Sequence, residues 1–167
     1  MIDEMDRKLI HELQKNGRLS YSDLARMIGV VEGTIRKRVK NLIDRDIIKI
    51  VAVPNMRTLG YTLVSIVGIQ VQMADYKKVA ESLASNPNVG HLTSVTGRYD
   101  LIAIVLTRSS EEFSRFMEEY ISTIPSVGRT ETFVTLQIVK GNWPALDISQ
   151  LADTFKTLPK SRRKRKR

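Results

Sequence analysis

Apolar residues at helical spacing open the chain. Ile2, Met5, Leu9, Ile10 and Leu13 share one face, and Asn16-Gly17 ends that helix because both residues tolerate the left-handed conformation. A second, shorter helix is expected after Ser20, with Ser20 as its cap and Asp23 near its positive end. Its apolar face is Leu24, Ala25 and Ile28, and Gly29-Val30 supplies a tight turn. The third helix is expected from Glu32 to Asp44, with Ile35, Val39 and Leu42 inward. Residues 47–53 then alternate loosely, as a short strand would, and form a candidate wing. A short second helix, a glycine turn and a third helix in this order read as a winged helix-turn-helix.

The period then changes from helical to alternating. Strand-like runs at 62–73 and 89–96 flank a helix at 75–86, and the order repeats with a strand at 101–107, a helix at 109–124 and a strand at 130–140. In the second helix Phe113, Phe116, Met117, Tyr120, Ile121 and Ile124 form one apolar stripe. The junctions Pro87-Asn88-Val89-Gly90 and Pro125-Ser126-Val127-Gly128 match each other. Two tandem strand-helix-strand units predict a ferredoxin-like βαββαβ domain, a four-stranded antiparallel sheet with both helices on one face. The other face keeps Phe133 alternating with Thr135 and Gln137. A half-apolar open face needs a cover, and a second copy of the chain is the simplest one, so a homodimer is expected. Further on, Trp143-Pro144 precedes Ile148, Leu151, Ala152 and Phe155, a final amphipathic helix with Asp147 as cap.

The fold class is therefore α+β. The expected division is a DNA-binding helix-turn-helix at 1–53, a hinge at 54–61, the βαββαβ domain at 62–140, a C-terminal helix at 141–159 and a disordered basic tail at 160–167.

Charge sharpens this division. The net charge of +9 splits into +4 over residues 1–60, −2 over 61–159 and +7 over 160–167. A basic head and tail around a mildly acidic middle suit a polyanionic partner at both ends. On the third helix Gly33, Lys37, Lys40 and Asn41 point away from the buried stripe, with Thr34 and Arg36 on its flanks. Lys and Arg donate to guanine or phosphate, Asn pairs with adenine, and Gly33 lets backbone come close. These residues, with Ser22 at the start of the second helix, are the candidate contacts to double-stranded DNA. The plainer reading is a three-helix module with a solvated basic face. Arg38 lies nearer the buried stripe and fits a structural ion pair as well as a phosphate contact. The tail is read as a sequence-blind phosphate anchor, with a solvated extension as the alternative.

Other function classes lack parts. Cysteine is absent, and His11 and His91 stand in separate segments without metal-ligand spacing. No nucleophile motif or glycine-rich phosphate loop occurs, so no catalytic residue, metal site or cofactor is expected. An enzyme or stand-alone metabolite-binding protein remains the competing class. RNA reading of the kind that stacks bases on sheet aromatics is disfavoured, because the strands at 89–96 and 101–107 carry none. There is no long uncharged apolar run, so no membrane partner is expected. The opening MIDEMDRK reads as helix rather than secretory leader, and a cytoplasmic location follows as an expectation.

Several of these residues, taken in order, resemble the Lrp/AsnC family, the leucine-responsive and feast/famine regulators of bacteria and archaea. They are Asp6 in the first helix, Gly17-Arg18, Leu24-Ala25, Arg38-Val39, Asp46-Ile47-Ile48, Pro54, Leu59-Gly60 and Gly97-Arg98-Tyr99-Asp100, spread over about residues 1–140. The resemblance implies a nucleoid-associated, DNA-reading N-terminal domain and a dimerising βαββαβ domain whose dimers often assemble further, up to an octamer. It also implies an amino acid or related metabolite bound near Gly97, Arg98, Tyr99 and Asp100. Asp100 would accept from the ammonium group, Arg98 would donate to the carboxylate, and Thr130 and Thr132 would complete a pocket at a subunit contact. A hairpin turn with a locally bonded Asp, in an effector-independent architectural regulator, is the alternative. Two departures stand out: Val31 occupies the position where the family usually places a capping serine, and the basic tail extends beyond the usual end.

Overall fold

The computed structural model of the chain describes residues 2–139. The expected helix at 141–159 and the tail at 160–167 lie outside the described residues. The chain divides into two compact units, Met1–Ala52 and Val53–Arg167.

The first unit holds α1 (Glu4–Lys15), α2 (Tyr21–Ile28) and α3 (Glu32–Asp44). Their inward stripes meet in one core, where Leu9, Leu24, Ile35 and Val39 are fully buried. Each such side chain contributes about 1.5–3 kcal/mol relative to exposure. Helix starts are chemically marked. Asp3 and Asp6 form a reciprocal capping box on α1, and the Ser20 hydroxyl accepts the Asp23 N–H of α2 at 3.0 Å. Between α2 and α3 the chain turns at Gly29, whose φ of 81° is the left-handed value glycine adopts without strain. The amides of Gly29 and Val30 both donate to the Ala25 carbonyl, at 2.9 and 3.0 Å.

The wing strand expected over 47–53 does not form: no residue there is hydrogen-bonded into a ladder among the described residues. Alternation alone cannot make a strand, which needs a neighbouring strand to take its backbone groups. Ile50, Val51 and Val53 stay more than half exposed. Asp46, just before, takes a left-handed φ of 55°.

The second unit contains β1 (Leu63–Val71), α4 (Tyr76–Ala84), β2 (Val89–Ser94), β3 (Leu101–Thr107), α5 (Ser110–Arg115) and β4 (Val127–Val134). The sheet order is β2-β3-β1-β4, and every neighbouring pair is antiparallel. This is the ferredoxin-like arrangement. Both helical segments cover one face, where Val67, Ile69, Val79, Leu83, Leu101, Val105, Phe116 and Ile121 form the core. On the other face Tyr61, Ile104 and Leu106 gather Met56, Leu59 and Val64 into a second cluster. The segment read as a hinge thus lays Met56, Leu59 and Tyr61 against the sheet. Phe133 on that strand edge is 53% exposed.

Two boundaries differ from expectation. The last strand begins at Val127 rather than 130 and ends at Val134, because its pairing with β1 starts at Val71↔Val127. The helix expected over 109–124 is α-helical only to Arg115, then a π-turn over Phe116–Tyr120 and a 3₁₀ turn over Ile121–Thr123. Phe116 and Ile121 are both buried although five residues apart. An α-helix would splay them, whereas the i→i+5 bonding of a π-turn brings them to one side. Phe116 then stacks on Tyr120 at 5.7 Å between centroids, and the Tyr120 hydroxyl donates to the Ser82 carbonyl of α4 at 2.6 Å.

Candidate functional site

The third helix is fastened to the first by one arginine. Arg38 Nη1 lies 2.5 Å from Asp3 Oδ2 and 2.9 Å from Asp6 Oδ1. Asp6, buried at 8% exposure, uses its other oxygen to accept the Asp3 N–H at 3.2 Å. Of the two readings open for Arg38, the structure gives the ion pair. The clamp holds the Asp3 carboxyl below its ordinary value, first through the Asp6 N–H and then through the guanidinium, and it raises Arg38 in return. A second tether joins α3 to α2, with the Arg36 guanidinium 5.2 Å above the Tyr21 ring.

Of the candidates on α3, Gly33, Arg36, Lys37, Lys40 and Asn41 are exposed and Thr34 is half-buried, but their partners divide them. Arg36 pairs with Glu32 at 2.7 Å and Lys40 with Asp44 at 2.5 Å, one helical turn away in each case. Lys37 and Arg45 have no ion-pair partner among the described residues. Thr34, Lys37 and Asn41 line a cleft of about 470 Å³ together with Arg38 and Arg45. Asp3 and Asp6 line the same cleft, so that on α3 and its cap the two cations without an ion pair stand beside the Arg38 clamp; Ser22 sits apart, bonded to Ser20 Oγ at 2.9 Å. Gly33 is exposed. Arg45 was missed by sequence reasoning, although it lies two turns beyond Lys37 on the same stripe.

In the second unit Gly97-Arg98-Tyr99-Asp100 joins β2 to β3, with Gly97 at a φ of 119°. Asp100 is heavily engaged. Its Oδ2 accepts the Val71 N–H at 2.8 Å, its N–H donates to Ile69 at 3.0 Å, and its carbonyl accepts from Val95 at 3.0 Å. Gln70 donates to the Arg98 carbonyl at 2.8 Å. The Tyr99 ring covers Gly68, and its hydroxyl donates to Glu131 of β4, the residue paired with Gly68. Arg98 reaches the same carboxylate, Nη1 to Oε2 at 3.6 Å. Glu131 therefore joins a cluster with Arg98 and Tyr99 that sequence reasoning did not contain. Thr130 and Thr132 pair with Ile69 and Val67 and share their helix-covered face, opposite to Tyr99 within one chain. His11 and His91 are both exposed. Among the described residues no group of three or more acidic or histidine side chains suits a metal ion, and no helix is long and apolar enough to cross a membrane.

A helix-turn-helix with a cationic third helix, followed by a ferredoxin-like unit, defines a two-part regulator of transcription. Residues 2–43 match the AsnC-type helix-turn-helix domain, and residues 64–143 match the Lrp/AsnC ligand binding domain. The chain belongs to the Lrp/AsnC family of DNA-binding transcriptional regulators, which are not enzymes. It is 38% identical over 140 residues to an uncharacterized HTH-type transcriptional regulator of Pyrococcus furiosus, covering 83% of this chain and 94% of that protein. The HTH-type transcriptional regulator FL11 of the same organism is 32% identical over 141 residues, with 84% and 93% covered. Among solved structures, E. coli AsnC superposes with a TM-score of 0.79 at 30% identity, covering 85% of this chain and 97% of that one. A transcriptional regulator of Neisseria meningitidis in complex with L-Met shares the fold, with a TM-score of 0.81 at 21% identity and 90% and 99% covered.

Proposed function

We propose that this regulator acts on DNA as a homodimer, with higher assembly up to an octamer, and that a small metabolite, an amino acid or a relative of one, tunes its DNA affinity or assembly. The DNA contacts in this reading are Thr34, Lys37 and Asn41 on the open stripe of α3, with Gly33, Arg36, Lys40 and Ser22 around them. The observation that carries it is the stripe itself, where Lys37 and Arg45 keep their charge free while the neighbouring cations are paired. Two such helices in one dimer suit successive major grooves about 34–36 Å apart. Support for the dimer comes from the open sheet face, where Phe133 is 53% exposed.

The effector is assigned to the cluster of Gly97, Arg98, Tyr99 and Asp100, joined by Glu131. Arg98 supplies donors for a carboxylate, and Glu131 and Asp100 supply acceptors for an ammonium group. Support comes from the ligand-binding domain match over these residues and from the Neisseria protein of the same fold, which holds L-Met. Thr130 and Thr132 lie on the other face and enter this proposal only across a contact between copies. No cofactor is part of it, and a cytoplasmic, nucleoid-associated site of action is its setting.

One observation favours a second reading, an effector-independent architectural regulator: the Asp100 carboxylate is already bonded to the Val71 amide. A thermal-shift screen against the twenty amino acids and related metabolites separates the two. A true effector at about 100 times its Kd adds roughly 2.7 kcal/mol to the native state. A hit abolished by Asp100→Ala or Glu131→Gln supports the sensor. Silence across the panel, with operator binding intact, supports the architectural protein.

A further inference from the structure

The first turn of α3 is built against its own stability. α1, α2 and α5 are capped by the side chains of Asp3, Ser20 and Ser109; α4 starts at Asp75 without a side-chain cap bond, and α3 starts at Val31, whose side chain has no atom that could make one. Valine ranks among the poorest residues at this position. Nor does Val31 compensate by packing, since it is 73% exposed. Two residues on, Gly33 is the least favourable helix residue after proline. Its φ lies outside the left-handed range, and a Cβ placed on it would meet nothing within 4 Å. Neither residue is explained by the interior of the unit.

Both sit in the first turn of the third helix of a matched helix-turn-helix domain. In such domains the residues at the N-terminal end of that helix face base edges. The major groove offers one apolar group at those edges, the C5-methyl of thymine. An exposed branched aliphatic side chain is complementary to it. A neighbouring position without a side chain lets the helix backbone come close enough for the contact.

We propose that Val31 is a specificity-determining residue that selects thymine through its C5-methyl group, with Gly33 providing the clearance. The proposal rests on the DNA-reading assignment above. It also gives a reason for the missing cap: a serine here would stabilise the helix and present a hydroxyl where the groove offers a methyl.

The test selects preferred sites from random duplex DNA for the wild type and for Val31→Ser. Each thymine of the selected site is then replaced by deoxyuridine, and affinity is read by fluorescence anisotropy. For the wild type, one thymine in each half-site loses about four-fold in affinity on removal of its methyl, the factor equivalent to ~0.8 kcal/mol per buried carbon group. For Val31→Ser the same replacement has no effect, while its melting temperature rises, so a lost preference is not misfolding. Gly33→Ala also melts higher and binds the selected site more weakly. An unchanged deoxyuridine penalty in Val31→Ser, or no penalty in the wild type, overturns the proposal and leaves the DNA-reading assignment standing. Failure of the wild type to select any sequence overturns both.

Discussion

The ring of Tyr99 lies directly on Gly68, so that a Cβ at position 68 would stand 2.6 Å from Tyr99 Cδ2. Gly68 sits in β1, bonded to strands on both sides, and cannot retreat. Tyr99 is 8% exposed and tied to Glu131, so it has little freedom to move away. Gly68→Ala is expected to destabilise the second unit by about 1–3 kcal/mol through overpacking. Urea unfolding measures it, and an unchanged midpoint would show that the ring turns aside freely.

The same tyrosine gives a titration. Its hydrogen bond to the Glu131 carboxylate, followed by burial and the Glu131 charge, pushes the Tyr99 phenol above its ordinary value of 10.0. A raised folded value means that this contribution to stability is complete below pH 10 and is lost as pH rises through the folded value. Ultraviolet absorbance of tyrosinate should show a late component that is lost in Tyr99→Phe, and Glu131→Gln should move it earlier. A Tyr99 signal that ignores Glu131→Gln would contradict the contact.

Local pattern was enough for the three helices of the first unit, because their stripes and caps lie within single segments. It was also enough for the order of strands and helices in the second. Three features were beyond it, the first two because they depend on pairing between distant segments. The alternation of 47–53 looks like a strand, yet no partner in the described chain takes up its backbone. Glu131 belongs to no motif, and only the β1–β4 register sets it opposite Gly68 and beneath the Tyr99 hydroxyl. The π-turn at Phe116–Tyr120 is hidden because the apolar stripe as a whole keeps a helical spacing, and only the joint burial of Phe116 and Ile121 departs from an α-helix. On α3 the polar face was legible from its period. Which cations stay free was not, since it turns on whether Glu32 and Asp44 reach Arg36 and Lys40.

Acid should act on the first unit through the clamp. Asp3 is held below its ordinary value of 3.8 by the Asp6 N–H and then by Arg38. A depressed folded value means that its contribution is present above pH 3.8 and is lost as pH falls through the lower folded value. Arg38→Met should flatten this acid limb, leaving the part owed to the backbone bond. Circular dichroism of helix content against pH reads it, and identical acid limbs in the two proteins would refute the coupling.

Lys37 and Lys40 are three residues apart but should behave differently on DNA. Lys37→Ala removes a free cation and is expected to weaken binding to all sequences alike, lowering the slope of log K against log salt by about 1. Lys40→Ala removes a cation already matched by Asp44 and should change the slope less. Equal slopes for the two variants would show that the ion pair opens on binding.

The Arg38 clamp has a practical reach. Asp3 is both the cap of the first helix and one of the two carboxylates that hold α3, the helix proposed to meet DNA, in place. Whatever is attached to or trimmed from the first few residues is therefore wired to the recognition surface. A purification tag fused just ahead of Asp3 is expected to alter operator affinity, and one placed elsewhere is the proper comparison.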